Sequence, residues 1–312
     1  MNTTSRTLLT ALAPAIWGTT YLVTSHLLPP GSPLFAALVR ALPAGLLALA
    51  ISRTLPRGSW WWKSLLLGAL NIGAFFPLLF VAAGRLPGGV AATLGAGQPL
   101  IVALLALPLL GERLSALRLA TGVLGIVGVG FVVLGPGAAF DPLGLGAGLL
   151  GSLSMGAGVV LTKRWGRPAG VGAVGFAGWQ LTAGGLVLLV PALLIEGVPA
   201  RVDGPAVVGY LWLGLVGGLL AYAAWFAGVG RLPATSTALL GLLSPLVAAL
   251  LGVAVAGERL GPAQLLGFAL ALAAMVAGQL APPARRRVVA HAGPVAPESV
   301  PASLRNGAQS AP

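Results

Sequence analysis

Arg40 is a cation placed between Leu34–Val39 and Ala41–Leu47, a stretch with no other charge. Such a guanidinium can hold an anionic or carboxylate group of a solute. The alternative is that its stem lets it reach the membrane interface or a backbone carbonyl. Either way, a charge at that depth costs at least ~2.5–3.5 kcal/mol on insertion scales, so it calls for a partner. The carboxamides of Asn71, Gln98 and Gln180 and the hydroxyl of Ser244 lie in similarly apolar runs. Trp17, Thr19, Thr20 and Tyr21 add rings and hydroxyls near the middle of the first run, with Asn71, Trp179, Gln180, Tyr222 and Trp225 as weaker members of the set. This chemistry is recognition by hydrogen bonds, one positive charge and aromatic faces. Close helix packing is the competing reading for the aromatic and hydroxyl groups.

Bond-making chemistry has no comparable foothold. His26 and His291 each lack a second ligand at metal spacing, so no metal site is read. Gly146-Ala147-Gly148-Leu149-Leu150-Gly151 fits a dinucleotide-binding pattern in letters only. It follows no strand, has no acidic residue at the right distance and sits in an apolar run, so it reads as helix packing. No phosphate-binding loop, zinc-protease motif or nucleophile elbow is found, and neither an enzyme nor a cofactor is expected. The chain contains no cysteine, which excludes disulfides and thiolate metal sites.

The elements that must carry these side chains are apolar helices. Only 8 % of residues are charged and 57 % are hydrophobic, with a mean hydropathy of +0.96. A soluble domain carries about 25 % charge. Runs near 20 apolar residues span the hydrocarbon core as helices. They are read at 8–28, 34–52, 65–84, 90–110, 117–134, 143–161, 173–195, 207–227, 237–256 and 262–280. The first is too long for a signal-peptide core and no small-residue cleavage site ends it, so it is taken as a retained helix. Pro99 and Pro245 fall midway along the fourth and ninth runs, where a missing N–H leaves a carbonyl unpaired one turn earlier. The expected fold is all-α, polytopic, with ten transmembrane helices.

Basic residues set the orientation. With the amino terminus inside, the inner segments hold Arg6, Arg53, Arg57, Lys63, Arg113, Arg118, Lys163, Arg164, Arg167, Arg231, Arg285, Arg286, Arg287 and Arg305. The outer loops hold Arg85, Arg201 and Arg259. A split of fourteen to three places both termini in the cytoplasm. The net charge of +12 is therefore a topology signal rather than a nucleic-acid footprint. Residues 283–312, rich in Pro, Ala and Ser behind the arginine triplet, are expected to be a disordered cytoplasmic tail.

The chain also repeats itself. Gly84-Arg85-Leu86-Pro87 returns as Gly230-Arg231-Leu232-Pro233, and Gly111-Glu112-Arg113-Leu114 as Gly257-Glu258-Arg259-Leu260. Pro99 aligns with Pro245 and Gln98 with Ser244 at the same offset of 146. Two halves are read, 1–135 and 136–282, each with five spans. An odd number per half forces the second copy to insert upside down, an arrangement common in secondary transporters. Gly111, Glu112, Gly257 and Glu258 read as helix-corner residues rather than solute contacts.

These features resemble the EamA family of the drug/metabolite transporter superfamily. Asp141-Pro142-Leu143-Gly144 and Leu161-Thr162-Lys163-Arg164 also fit that family. The segments Ala13-Pro14-Ala15-Ile16-Trp17-Gly18-Thr19-Thr20-Tyr21 and Arg40-Ala41-Leu42-Pro43-Ala44-Gly45 look like its PecM-like pigment and metabolite exporter branch. The resemblance implies an inner-membrane protein that exports small organic metabolites without ATP. Its partners would be the solute, the bilayer and, as an open alternative, a second copy in a homodimer. A flippase for a lipid-linked substrate is the other function the same fold could serve. The second copy departs from the first, with Met155-Gly156 in place of Trp17-Gly18 and Gln180 near the counterpart of Arg40.

Overall fold

A computed structural model describes residues 3–85, 95–111, 116–133, 141–256 and 261–280. Among them only helices, turns and connecting segments occur, with no strand. The helices are α1 (Thr3–Leu27), α2 (Pro33–Ser52), α3 (Trp60–Gly68, Ala69–Ala74 and Phe75–Arg85 end to end), α4 (Gln98–Leu110) and α5 (Ala116–Val133). They continue with α6 (Pro142–Trp165), α7 (Ala173–Pro191 and Ala192–Glu196), and α8 (Gly204–Leu211, Trp212–Leu220 and Ala221–Val229). The last are α9 (Ala234–Leu240), α10 (Leu243–Ala256) and α11 (Pro262–Leu280). Seven stretches are long and apolar enough to cross a membrane, with three shorter apolar helices at Gln98–Leu110, Leu119–Phe131 and Pro262–Gly278. The tail from 281, and with it the expected disorder, lies outside the described residues, as do Glu112, Gly257 and Glu258.

The acids that could be taken for membrane chemistry serve helix ends. Asp141 caps α6 by accepting from Gly144 N–H at 2.6 Å, with Pro142 preset in the first turn. Asp203 does the same for α8 through Ala206 N–H at 2.9 Å. Glu196, at the end of α7, accepts from Phe35 N–H at 3.0 Å, one of the orphan donors at the start of α2. Gly111 closes α4 in the left-handed conformation at φ 65°, where only Gly is free of strain.

Packing follows a paired scheme. Helix α2 lies along α7 and α5 along α11; α3 packs on α6 and α1 on α8; α4 packs on α6 and α10 on α1. Close backbone approaches are made by glycines of α2, α3 and α7. A methyl added at Gly45 would sit 2.4 Å from Thr182 N, and one at Gly68 2.6 Å from Gln180 O. Without a solvent-driven term in lipid, such close backbone contact is the main source of helix association. Gly146, by contrast, has nothing within 4 Å, so that glycine of the dinucleotide-like stretch is not a packing position.

Three wide, π-type segments are described; Ala192–Glu196 only ends α7, while two interrupt helices that face the centre, at Ala69–Ala74 in α3 and Trp212–Leu220 in α8. The sequence offset of 146 maps 69–74 onto 215–220, inside the second turn. A π-turn breaks the regular i→i−4 ladder and is often found at functional sites. Here its carbonyls accept bonds from side chains on other helices.

Candidate functional site

The α8 turn supplies the first junction. Gly217 O accepts from Trp17 Nε1 of α1 at 2.9 Å and from Arg40 Nη2 of α2 at 3.3 Å. Arg40 also donates to Thr20 Oγ1 at 3.5 Å, and its guanidinium lies 4.7 Å from the Phe76 ring centroid. Only 3 % of Arg40 is exposed. Gly218 makes the approach of α2 feasible, since a methyl there would meet Arg40 O at 2.9 Å. Arg40 is thus held inside the bundle by a carbonyl, a hydroxyl and a ring face rather than carried to an interface.

The α3 turn supplies the second junction. Asn71 Nδ2 donates to Gln180 Oε1 at 2.7 Å, and both side chains are fully buried. Tyr222 OH donates to Asn71 O at 3.4 Å and Ser154 Oγ to Leu70 O at 2.8 Å. Asn71 and Gln180 pair with one another through this bond, Asn71 Oδ1 and Gln180 Nε2 being left without a hydrogen-bond partner, and neither residue lines the central cavity.

That cavity, of about 510 Å³, opens between α1, α2, α3, α4, α6, α8, the turn at Gly241 and α10. This is within the usual size range of small-molecule sites. Of the side chains singled out by sequence, Trp17, Thr20, Arg40, Gln98, Tyr222 and Ser244 line it, together with Pro245 and Trp225. The side chain of Tyr21 is outside the description. Pro99 is buried behind the wall.

The two prolines do not sit in the middle of continuous helices. Helix α4 begins at Gln98, after a turn at Gly97, and Pro99 occupies its first turn, where a missing N–H leaves no bond unmade. Likewise Gly241 and Leu242 form a turn between α9 and α10, three residues before Pro245. Leu100 N–H reaches back to Gly97 O, and Ser244 N–H to Gly241 O, both in the tighter i→i−3 pattern. The breaks turn Gln98, Gly241 and Ser244 onto the cavity wall.

One ring system dominates the wall. Trp17 lies 5.0 Å from Tyr222 and 5.3 Å from Trp225, centroid to centroid, and Phe76 lies 6.4 Å from Tyr222. Phe75, Phe76, Phe80, Thr24, Ser152 and His26 complete it and were not singled out as cavity residues by sequence. Thr24 had a readable signal, because Trp17, Thr20 and Thr24 recur at three and four residues and share one helix face. The phenylalanines had none, since an apolar ring in an apolar run looks alike on either face. His26 Nδ1 is 3.1 Å from Leu22 O. Among the described lining residues there is no Asp or Glu.

At the far end of α6, Lys163 is caged. Its Nζ lies 5.1 Å from the Trp60 ring centroid and 5.7 Å from those of Trp62 and Trp165, and it donates to Leu232 O in the α8–α9 connection. Nearby, burial and the like charge of Arg231 pull Arg167 below its ordinary pKa. Trp61 and Trp62 are 60 % and 53 % exposed, as interfacial rings are, whereas Trp60 packs on Phe176 and Trp179.

Apolar helices of membrane-spanning length around a polar-and-aromatic cavity define an all-helical, multi-pass membrane protein. The profile of the EamA-like transporter family matches residues 5–134 and 142–277, and the chain belongs to that family. It is 47 % identical over 264 residues to Protein PecM of Dickeya dadantii (strain 3937), covering 85 % of this chain and 89 % of that protein, in agreement with the branch read from Ala13–Tyr21 and Arg40–Gly45. It is 31 % identical to the uncharacterized inner membrane transporter YedA of Escherichia coli (strain K12), covering 84 % of this chain and 86 % of the relative. A solved crystal structure, 21 % identical, superposes with a TM-score of 0.76 over 89 % of this chain and 98 % of that one, a likeness of fold alone. The protein is a membrane transporter of the drug/metabolite transporter superfamily.

Proposed function

We propose that the chain is a secondary exporter of small organic metabolites in the inner membrane. It works without ATP, by alternating access between two inverted five-helix repeats, 1–135 and 136–282, with both termini cytoplasmic. The observation that carries this reading is the cavity itself, which is walled by helices from both halves and offers a positive charge, hydrogen-bonding groups and aromatic faces. The repeat is supported by the two matched profile stretches, by the π-turns at one offset and by the paired packing of α2 with α7 and α5 with α11. In this topology His26, Ala82 and Gly252 on the wall belong to outer helix ends. Trp225, Phe226, Phe176 and Trp179 pack towards the inner end. The arrangement suits an outward-facing form, and export then requires the inner packing to part.

The test is everted membrane vesicles from cells producing the chain, incubated with an isotopically labelled metabolite extract. Mass spectrometry should find a small set of soluble organic compounds concentrated inside, relative to vesicles lacking the protein. If no compound is taken up above that control, the exporter reading falls. If only lipid-linked species change leaflet, the flippase takes its place.

A further inference from the structure

We infer that the cavity is built for an aromatic carboxylate and against organic cations. This rests on the transport reading and deepens it by naming the substrate class. Arg40 contributes a permanent positive charge at the wall. Three further polar atoms of lining residues are buried without a hydrogen-bond partner: Thr24 Oγ1, Gln98 Nε2 and Trp225 Nε1. An indole N–H and a guanidinium can only donate, and a hydroxyl can do so. The wall therefore has donor capacity to spare, and among its described lining residues there is no Asp or Glu to balance a cation. Buried donors left unmatched are costly, so a bound solute that supplies acceptors gains more than one that supplies further donors.

The rest of the wall sets the body of the solute. Trp17, Tyr222 and Trp225 form a contiguous ring cluster at 5.0–5.3 Å, with Phe76 beside Tyr222 and under Arg40. Flat faces of this kind stack on a planar ring. A carboxylate on that ring then lies in the field of Arg40, in a medium where water screens little. An ammonium in the same place meets the same charge with the opposite sign.

The probe series is 3-phenylpropionate, 3-phenylpropionamide and 3-phenylpropylamine, which share a ring and chain and differ in charge. Binding to detergent-purified protein is followed by tryptophan fluorescence excited at 295 nm and by calorimetry. The carboxylate should bind at least tenfold more tightly than the amine, with the amide between them. Arg40→Gln should reduce the carboxylate-to-amide ratio to within about twofold while amide binding persists. Should that variant not fold, Trp225→Phe removes one donor and keeps a ring, and should weaken carboxylate and amide alike by several fold. Trp61→Phe, on the exposed surface, is the matched control. Equal or tighter binding of the amine overturns the inference, and so does failure of all three probes to bind. The two readings separate cleanly. Vesicles that move amines but not carboxylates leave the exporter standing and remove this inference. Purified protein that binds in the stated order but moves nothing does the reverse.

Discussion

Gly45→Ala tests whether the α2–α7 contact holds the site in place. The added methyl would lie 2.4 Å from Thr182 N, 2.6 Å from Thr182 Oγ1 and 2.8 Å from Leu181 C. Ordinary contact begins near 3.4 Å, so the two helices must part locally by about 1.0 Å. Two of the three atoms are backbone and cannot rotate away. Overpacking of this kind costs about 1–3 kcal/mol, and the rigid partners place it at the upper end. Alanine returns up to about 1 kcal/mol of helix propensity over glycine, leaving a net loss near 2 kcal/mol. Gly146→Ala makes the same chemical change within α6 with nothing inside 4 Å. It keeps the propensity gain and should be neutral or slightly stabilising. The variants should therefore differ by about 2–3 kcal/mol, read as the folded fraction of detergent-purified protein in a denaturant titration. Transport or binding should fall further than stability in Gly45→Ala. Arg40 is five residues away on α2, and its bonds of 3.3 and 3.5 Å to Gly217 O and Thr20 Oγ1 are already long. If Gly45→Ala is as stable as Gly146→Ala, the contact does not bear on the fold and the reasoning fails.

Three further outcomes are expected. A phosphatase active only in the periplasm should be active when fused after Asp141 and silent after Arg285; the reverse at either position refutes the topology. Arg40→Gln and Gln98→Ala should lower transport per molecule of monodisperse protein by more than they lower yield, whereas activity that merely tracks yield makes both residues structural. Lys163→Met removes the cation from three Trp rings, each contact worth about 0.5–1 kcal/mol where exposed. With no native cysteine to interfere, maleimide labelling of Ala238→Cys, at a position 2 % exposed, should quicken at least threefold in that background; an unchanged rate means that Lys163 does not latch the inner end.

The helices were legible because their signal is additive: twenty apolar residues in a row need no tertiary information. The cavity was legible only in part, and the difference is physical. Asn71, Gln98 and Gln180 are equivalent as letters, being carboxamides in apolar runs. Asn71 finds Gln180 across 109 residues of chain, while Gln98 is turned to the cavity by a helix break at Gly97. A polar residue in the membrane advertises a need for a partner, but nothing local says whether protein or solute meets it. The two wide turns left little mark either, since apart from Asn71 the stretches Ala69–Ala74 and Trp212–Leu220 hold the same small and apolar residue types as the regular helix around them. The form of the break beside Pro99 was not legible for a related reason. Proline marks a break, yet whether it kinks a helix or starts one depends on the turn before it.

Within the proposed duplication the two π-turns serve unequal ends. Each offers carbonyls to one helix of the α1/α6 pair and is crossed by one of the α2/α7 pair. At Gly217 the donors are Trp17 and Arg40, and the junction forms cavity wall. At Leu70 and Asn71 the donors are Ser154 and Tyr222, and Gln180 closes the junction against the Asn71 side chain. A second arginine in place of Gln180 would bury two like charges in one bundle, each with a desolvation cost and both repelling in low dielectric. A neutral pair avoids this and leaves a single sign of charge facing the solute. In the proposed cycle both halves must rock about the same centre, so each needs a bonded pivot, but only one pivot needs to bind. The neutral Asn71–Gln180 pair is then the counterpart that lets Arg40 be specific, because it supplies the hinge contact without a competing site.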